Sequence, residues 1–296
     1  MRNLLLPALK KVKNKLSGKG LGKIPGAVRF YNYLYRKSCE KGIFLTNISG
    51  NKMYVDCQDK GVASEIINQG SYEEYETELF KKLIKPNMVV IDIGANIGYY
   101  ALIASKLVGN QGKVYAFEPE SHNFDLLNKN IDINNCKNII PLQIALSNKS
   151  GKMKFFADKI NFGAPSLSSD NLQEKGEIEE VETITLDKFW EDTAGGNKVY
   201  FVKMDAQGAE GLIVEKGRKF LEGNDLKIII EFWPRGLKNM GTDPVELLRT
   251  FRGYGFNTNF IDDINQKVQK IEIDEIIKRC ESKEEAKEYV NLLLEK

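Results

Sequence analysis

From residue 86 onward the chain alternates short apolar runs with stretches in which apolar residues recur every three to four positions. This alternation predicts a doubly wound, mostly parallel sheet with helices on both faces. MVVIDIG (88–94) reads as a buried strand leading into a helix over about 97–108. KVYAFEP (113–119) is the next strand, and FDLLNKNIDIN (124–134) a helix with Phe124, Leu127 and Ile131 on one stripe. NIIPLQIAL (138–146), VYFVKMD (199–205) and LKIIIEF (226–232) are the third to fifth strands, with a helix starting near Glu210. KMKFFA (152–157) and VETITL (181–186) read as a hairpin or edge strands around a polar loop over about 158–178, a candidate active-site lid. DPVELLRTF (243–251) predicts a helix with Asp243 as N-cap and Pro244 in its first position. FNTNFID (256–262) and KVQKIEI (267–273) form a closing antiparallel pair, and about 274–295 reads as a helix with one exposed face.

The first seventy residues have a different pattern. Leu5, Leu9, Val12 and Leu16 recur at helical spacing with Lys10, Lys11, Lys13 and Lys15 between them, Gly18, Gly20 and Gly22 break the run, and a second helix starts at Pro25 with Val28, Tyr31, Leu34 and Tyr35 on one side. The expected organisation is a basic helical arm and cap over 1–70 and a main domain over 71–296. The apolar start is too short for a secretory signal, and no uncharged stretch approaches a membrane span, so a cytoplasmic location is expected. Charge sharpens the division. The 296 residues carry a net +2, but residues 1–41 hold eleven Lys/Arg against Glu40 alone, a charge of +10. The other 32 basic and 40 acidic residues leave −8 on the rest. Such an arm suits an anionic surface, and peripheral membrane contact through 1–41 is the expectation to test. Four cysteines, with no CxxC pair, exclude a disulfide scaffold and fit a reducing compartment.

The candidate chemistry lies at strand ends. The first strand runs into DIGANIG (92–98), where Gly94 and Gly98 let backbone approach a ligand and the following helix offers free amides. Asn96 takes the place of the second glycine of a dinucleotide fingerprint, so the turn is not GxGxxG. Glu118, twenty residues after Gly98 at the end of the second strand, is placed to accept the hydroxyls of a ribose. Asp92, Glu118, Ala145, Asp205 and Glu231 all fall at or near carboxyl ends of strands, where open α/β sheets bind ligands.

At these residues the chain resembles a known family. DIGANIGYYALIASKL (92–107), KVYAFEPESHNFDLLNKNI (113–131), ALSNKSG (145–151), ITLDKF (184–189), KMDAQGAE (203–210) and IIIEF (228–232), in that order, look like the FkbM family of S-adenosylmethionine-dependent methyltransferases. The resemblance covers roughly 70–262. It implies a Rossmann-like class I methyltransferase with a seven-stranded sheet that methylates a hydroxyl oxygen. It further implies S-adenosylmethionine contacts at Asp92, Gly94, Asn96, Gly98 and Glu118, the Ala145 to Ser147 turn beside the adenine, and Tyr72 and Glu73 as part of a lid. One position departs: many members have DxEGxE after the fourth strand, and here Gln207 stands where the first Glu is common, which leaves Asp205 and Glu210 as the acids of that motif.

Methyl transfer is an in-line displacement, so positioning matters most, with about 7–11 kcal/mol available from it, and a base adds about 10² to 10⁴ in rate. Asp205, Glu210 and Glu231 are the candidate bases, with Lys203 to polarise or pair with one of them. No metal site is assigned; magnesium held by Asp205 and Glu231 is the alternative. His122, the single histidine, is expected to be solvated or to cap a helix. Tyr99, Tyr100, Phe162 and Trp233 are candidate walls of an acceptor pocket for a sugar or an extended apolar substrate, with core packing the alternative, above all for Tyr99 and Tyr100, which follow the glycine turn into a helix that must pack on the sheet. Two further readings compete: a nucleic-acid methyltransferase using the basic arm, which the −8 of the main domain and the MDAQG turn disfavour, and a protein that binds S-adenosylmethionine without turnover.

Overall fold

The computed structural model describes residues 42–59, 61–158, 166–172, 175–281 and 288–296. The two basic helices expected before residue 36, Phe162 and much of the 158–178 loop lie outside the described residues. The main sheet has eight strands in the order β12-β11-β13-β10-β9-β3-β4-β5. Five are parallel: β3 (Val89–Ile93), β4 (Lys113–Phe117), β5 (Ile139–Leu142), β9 (Phe201–Met204) and β10 (Lys227–Phe232). β13 (Val290–Glu295) lies antiparallel between β10 and β11 (Asn257–Asp262), and β12 (Lys267–Lys270) pairs with β11 at the edge. The five expected parallel strands and both strands of the expected closing pair, β11 and β12, are present, and β13 adds an eighth.

The helical reading of 274–295 is corrected by this sheet. Helix α10 (Ile273–Glu281) occupies the first part of that span, and VNLLLE forms β13, an interior strand. A run of apolar residues from Leu292 to Leu294 is buried on both faces, which suits a strand covered on two sides. NIIPLQIAL also divides: β5 belongs to the main sheet, whereas β6 (Ala145–Leu146) joins β8 (Lys175–Ile184) and β7 (Gly151–Asp158) in a separate three-stranded sheet. The described part of the segment expected to be a helical arm opens on strands, β1 (Ile43–Ile48) and β2 (Asn51–Asp56), followed by α1 (Val62–Gln69). Ile48, Met53 and Val55 of the hairpin share a core with α1, α2 (Glu74–Leu83), α3 (Tyr99–Val108) and α4 (Ser121–Ile133). Asn130 of α4 and Asn134, the C-cap residue that follows it, hydrogen-bond both backbone groups of Tyr54 and Lys52 respectively and so fasten β2 to the helix.

The opposite face of the sheet is covered by α5 (Leu186–Asp192), α6 (Glu210–Glu215), α7 (Arg218–Gly223), α8 (Pro234–Asn239), α9 (Pro244–Gly253) and α10. Asp243 caps α9 as expected, accepting from the amides of Val245 and Glu246, with Pro244 at the first position. Strand alternation then decides which polar residues face which layer. Val90, Phe201, Ile229 and Leu293 point to the α1–α4 side, and Ile91, Val202, Ile228, Ile230, Leu292 and Leu294 to the other. By the same period of two, Asp92, Lys203, Glu231 and Asn291 fall on the α1–α4 side.

Candidate functional site

The turn after β3 is built to bring strands close. Gly94 has a φ of +78°, and a Cβ there would stand 1.9 Å from the Asp205 carbonyl oxygen, so only glycine fits. Asn96 also sits in the left-handed region at +50°, with its side-chain oxygen accepting from the Ile97 amide at 2.7 Å. Its backbone amide donates to Glu118 Oε2 at 2.8 Å, and the Glu120 amide donates to Glu118 Oε1 at 2.9 Å. Each carboxylate oxygen keeps a further lone pair for a ligand hydroxyl. Burial pushes the Glu118 carboxyl up to about 8.

These residues line a crevice at the carboxyl ends of β3, β4 and β9 whose empty space, part of it open to solvent, is about 520 Å³. Gly94, Asn96, Glu118 and Ala145, expected to contact cofactor, and Asp205, at the end of β9, face it together with Ile144, Leu146 and Leu167. Tyr72, Glu73, Asp92 and Gly98 are not in that lining. Gly98 is a packing glycine, since a Cβ there would meet the Leu127 side chain at 2.7 Å. Ser147 is buried behind the cavity, its amide bonded to the Ile184 carbonyl. Part of the loop expected as a lid reaches the cavity: Leu167 lines it, and Ser166 Oγ and Asn171 Nδ2 donate to the Gln207 carbonyl at 3.0 and 2.9 Å.

Behind Asp205, on the α1–α4 side, lies a second polar region. Register sets Asp92 beside Lys203 and Glu231 beside Asn291. Helix α2 adds Glu76 and, at its N-cap, Glu73. Lys203 is only 2% exposed; its Nζ is 3.2 Å from Glu76 Oε1 and lies over the Tyr100 ring at 5.2 Å. Burial alone would lower the Lys203 ammonium, but Glu76, Asp205, Glu73 and Glu231 outweigh it and hold the amine protonated. Burial pushes Glu76 up to about 8, with Glu73 adding to the shift and Lys203 opposing it, and pushes Asp92 up to about 7. Asp205 and Glu231 are raised for the same first reason, followed for Glu231 by the charges of Asp205 and Glu73.

Gln207 explains its own departure from the family pattern. Its Nε2 donates to Asp205 Oδ1 at 2.6 Å and to Glu231 Oε1 at 3.3 Å, so one amide joins two carboxylates that a third carboxylate would repel. Glu210 is 1% exposed, and its Oε1 accepts from the amides of Ala206 at 2.8 Å and Gly208 at 3.4 Å. It braces the turn and lies outside the cavity lining, with burial raising it to about 7. Tyr99 and Tyr100 take the core alternative, packed edge-on with Tyr72, and the Tyr100 hydroxyl donates to Glu73 at 2.9 Å and Glu76 at 3.0 Å. Trp233 packs its ring against the Gly236 backbone. His122 lies 3.1 Å from Asp56 and is 43% exposed, away from the site. Among the described residues, no group of three or more His, Cys, Asp or Glu is arranged to hold a metal ion.

Comparison with known proteins decides the family. The model of the methyltransferase FkbM domain matches residues 92–258, more than half of the chain. This protein is a member of the FkbM methyltransferase family. Two curated relatives match shorter stretches. Hexuronic acid methyltransferase AglP of Haloferax volcanii is 32% identical over 111 residues, 33% of this chain and 44% of its own length. The tRNA(Phe) (4-demethylwyosine(37)-C(7)) aminocarboxypropyltransferase of Methanocaldococcus jannaschii is 32% identical over 102 residues, 34% of this chain and 39% of its own. The matches thus span less than half the length of either relative. Among solved structures, a SAM-dependent methyltransferase from Aquifex aeolicus aligns at a TM-score of 0.38 and 18% identity, covering 75% of this chain and 88% of that one.

The FkbM cofactor is S-adenosylmethionine, and the cavity fits it. Glu118, a buried carboxyl whose oxygens keep free lone pairs, would accept from ribose hydroxyls, and the apolar Ile144, Ala145 and Leu146 would take the adenine. Glu76, Tyr289 and Asn291 escaped the sequence reading. The first sits within an entry helix that reads as ordinary amphipathic surface, and the other two belong to the segment read as helix.

Proposed function

We propose that this protein transfers a methyl group from S-adenosylmethionine to a hydroxyl oxygen of a small molecule or glycan. The observation that carries the reading is the junction at Asp205: it closes the nucleoside cavity on one side and, through Gln207, joins Glu231 on the other. When bound, S-adenosylmethionine supplies an electrophilic methyl carbon on a sulfonium. The chain supplies position and a proton acceptor. An acceptor hydroxyl seated between Asp205 and Glu231 donates its proton to one of these carboxylates as its oxygen becomes the nucleophile. Burial raises both carboxyls, which makes their ionised forms stronger bases than a solvated carboxylate. Lys203 holds the buried acids in place by charge, and Glu210 holds the turn that carries Asp205. The arm over residues 1–41 meets an anionic membrane surface, which its +10 favours; the described residues contain no helix long and apolar enough to cross a membrane.

Methyl-labelled S-adenosylmethionine offered with pooled glycans, small alcohols, tRNA and rRNA tests the reading. Label is expected in the hydroxyl acceptors, including in excess EDTA, and Asp205→Asn is expected to lower kcat about 10²- to 10⁴-fold while S-adenosylhomocysteine binding changes little. Label entering only RNA would establish the nucleic-acid reading instead. Cofactor binding with no transfer to any pool would establish a protein without turnover.

A further inference from the structure

The polar region behind Asp205 is unbalanced in its hydrogen-bonding groups. Glu73, Glu76, Asp205 and Glu231 surround the single ammonium of Lys203, and Asp92 lies within its field as well. The unpartnered buried side-chain atoms of this region are Glu76 Oε2, Asp92 Oδ2 and Asn291 Oδ1, and the last, an amide oxygen, can only accept. Asn291 is the informative one. It is 4% exposed, its Nδ2 lies 3.3 Å from Glu73 Oε1, and its carbonyl oxygen is left free within the cluster. Buried acceptors without donors call for a ligand that brings N–H or O–H groups.

The cofactor does not account for this demand. Of these carboxyls only Asp205 lines the nucleoside cavity; Glu73, Glu76 and Glu231 lie outside its lining. Tyr72 and Tyr289, which share the field of Glu73, Asp205 and Glu231, have their phenols raised, first by burial and then by those charges, and stay neutral. Both rings are partly exposed, as are Glu73, Asp205, Gln207 and Glu231, so a ligand has an aromatic face and a set of acceptors to meet together.

Resting on the methyl-transfer reading above, we infer that the acceptor subsite takes a sugar or polyol that is rich in donors and free of negative charge, holds an amine-bearing one best, and rejects a carboxylated one. An anionic group here would face buried carboxyls that offer it no positive charge, with one already-paired lysine to answer it.

Three probes on one ring test the inference: the methyl glycosides of glucosamine, glucose and glucuronic acid, titrated into the full chain with S-adenosylhomocysteine present and followed by saturation-transfer NMR. The expected order is glucosaminide, then glucoside, with the glucuronide at least about tenfold weaker than the glucoside. Equal or tighter binding of the glucuronide overturns the inference, and so does failure of all three to bind at tens of millimolar. Glu73→Gln is expected to narrow the glucosaminide-to-glucuronide ratio by about threefold or more; an unchanged ratio in a folded variant also overturns it. Failure of the methyl-transfer reading is separate, because it shows as no label reaching any hydroxyl while the binding order stands.

Discussion

Gly94 and Glu118 concentrate the residue-scale argument. At Gly94 two costs coincide for any larger residue: a φ of +78° and a Cβ placed 1.9 Å from the Asp205 carbonyl oxygen. Gly94→Ala is therefore expected to destabilise the fold by roughly 2–4 kcal/mol in urea unfolding and to weaken S-adenosylhomocysteine binding, since Asp205 must move. Wild-type stability and affinity would remove the close approach from the account. Glu118 makes a pH statement. Its folded carboxyl is pushed up to about 8 from an ordinary value near 4.5, so between those limits the folded state binds the extra proton and stability falls as pH rises. Asp92, Glu210 and Glu76, at about 7, 7 and 8, act in the same direction. The melting temperature without cofactor is expected to drop from pH 5 to pH 8.5, each group contributing at most about 1.4 kcal/mol per pH unit. Glu118→Gln should flatten that slope, and an unchanged slope would show that this carboxyl ionises normally. Glu118 was legible in the sequence because its chemistry follows from its place after a strand. Glu76 was not, because only the fold brings an α2 residue under Lys203.

Helix α2 is held to the sheet by the Lys203–Glu76 pair and by the packing of Phe80 on Phe201 at 5.1 Å between ring centroids. A buried ion pair is costly to break from one side, because the remaining charge is stranded. Lys203→Met alone is expected to cost about 3–5 kcal/mol, whereas Lys203→Met with Glu76→Gln should recover part of that loss. A double-mutant cycle by chemical denaturation measures the coupling; additive effects would mean the two groups do not interact. Elements with a single clear period were legible: β3, α3, β4, β9, β10 and the Asp243-capped α9 lie within a few residues of their predicted spans. Helix α4 starts earlier than its apolar stripe suggests because the Glu120 side chain caps it, accepting from the amides of His122 and Asn123. The hairpin of β1 and β2 was not legible, since its partners, Asn130 and Asn134, are polar residues more than seventy positions away.

The order of six motifs was enough to give the parallel half of the molecule, but its closure depends on the last six residues of β13. These lie between β10 and β11 and feed both layers, Leu293 packing toward α1–α4 and Val290, Leu292 and Leu294 toward α5–α10. The sequence reading ran α10 through this stretch because the helical period of 273–281 continues into polar residues without a strong breaker. What identifies the strand is burial on both faces, which no single-sided period records. Four apolar side chains withdrawn from water contribute roughly 6–12 kcal/mol at about 1.5–3 each, and that is comparable to the whole stability of a typical domain. Their loss would also open a strand edge on both β10 and β11. Deletion of residues 288–296 is thus expected to abolish cooperative unfolding and to give aggregated protein on gel filtration. Asn291→Ala in the full chain, which spares the leucines, should remain folded. A truncated chain that melts cooperatively and runs as a compact species would show that β13 closes the sheet without stabilising it.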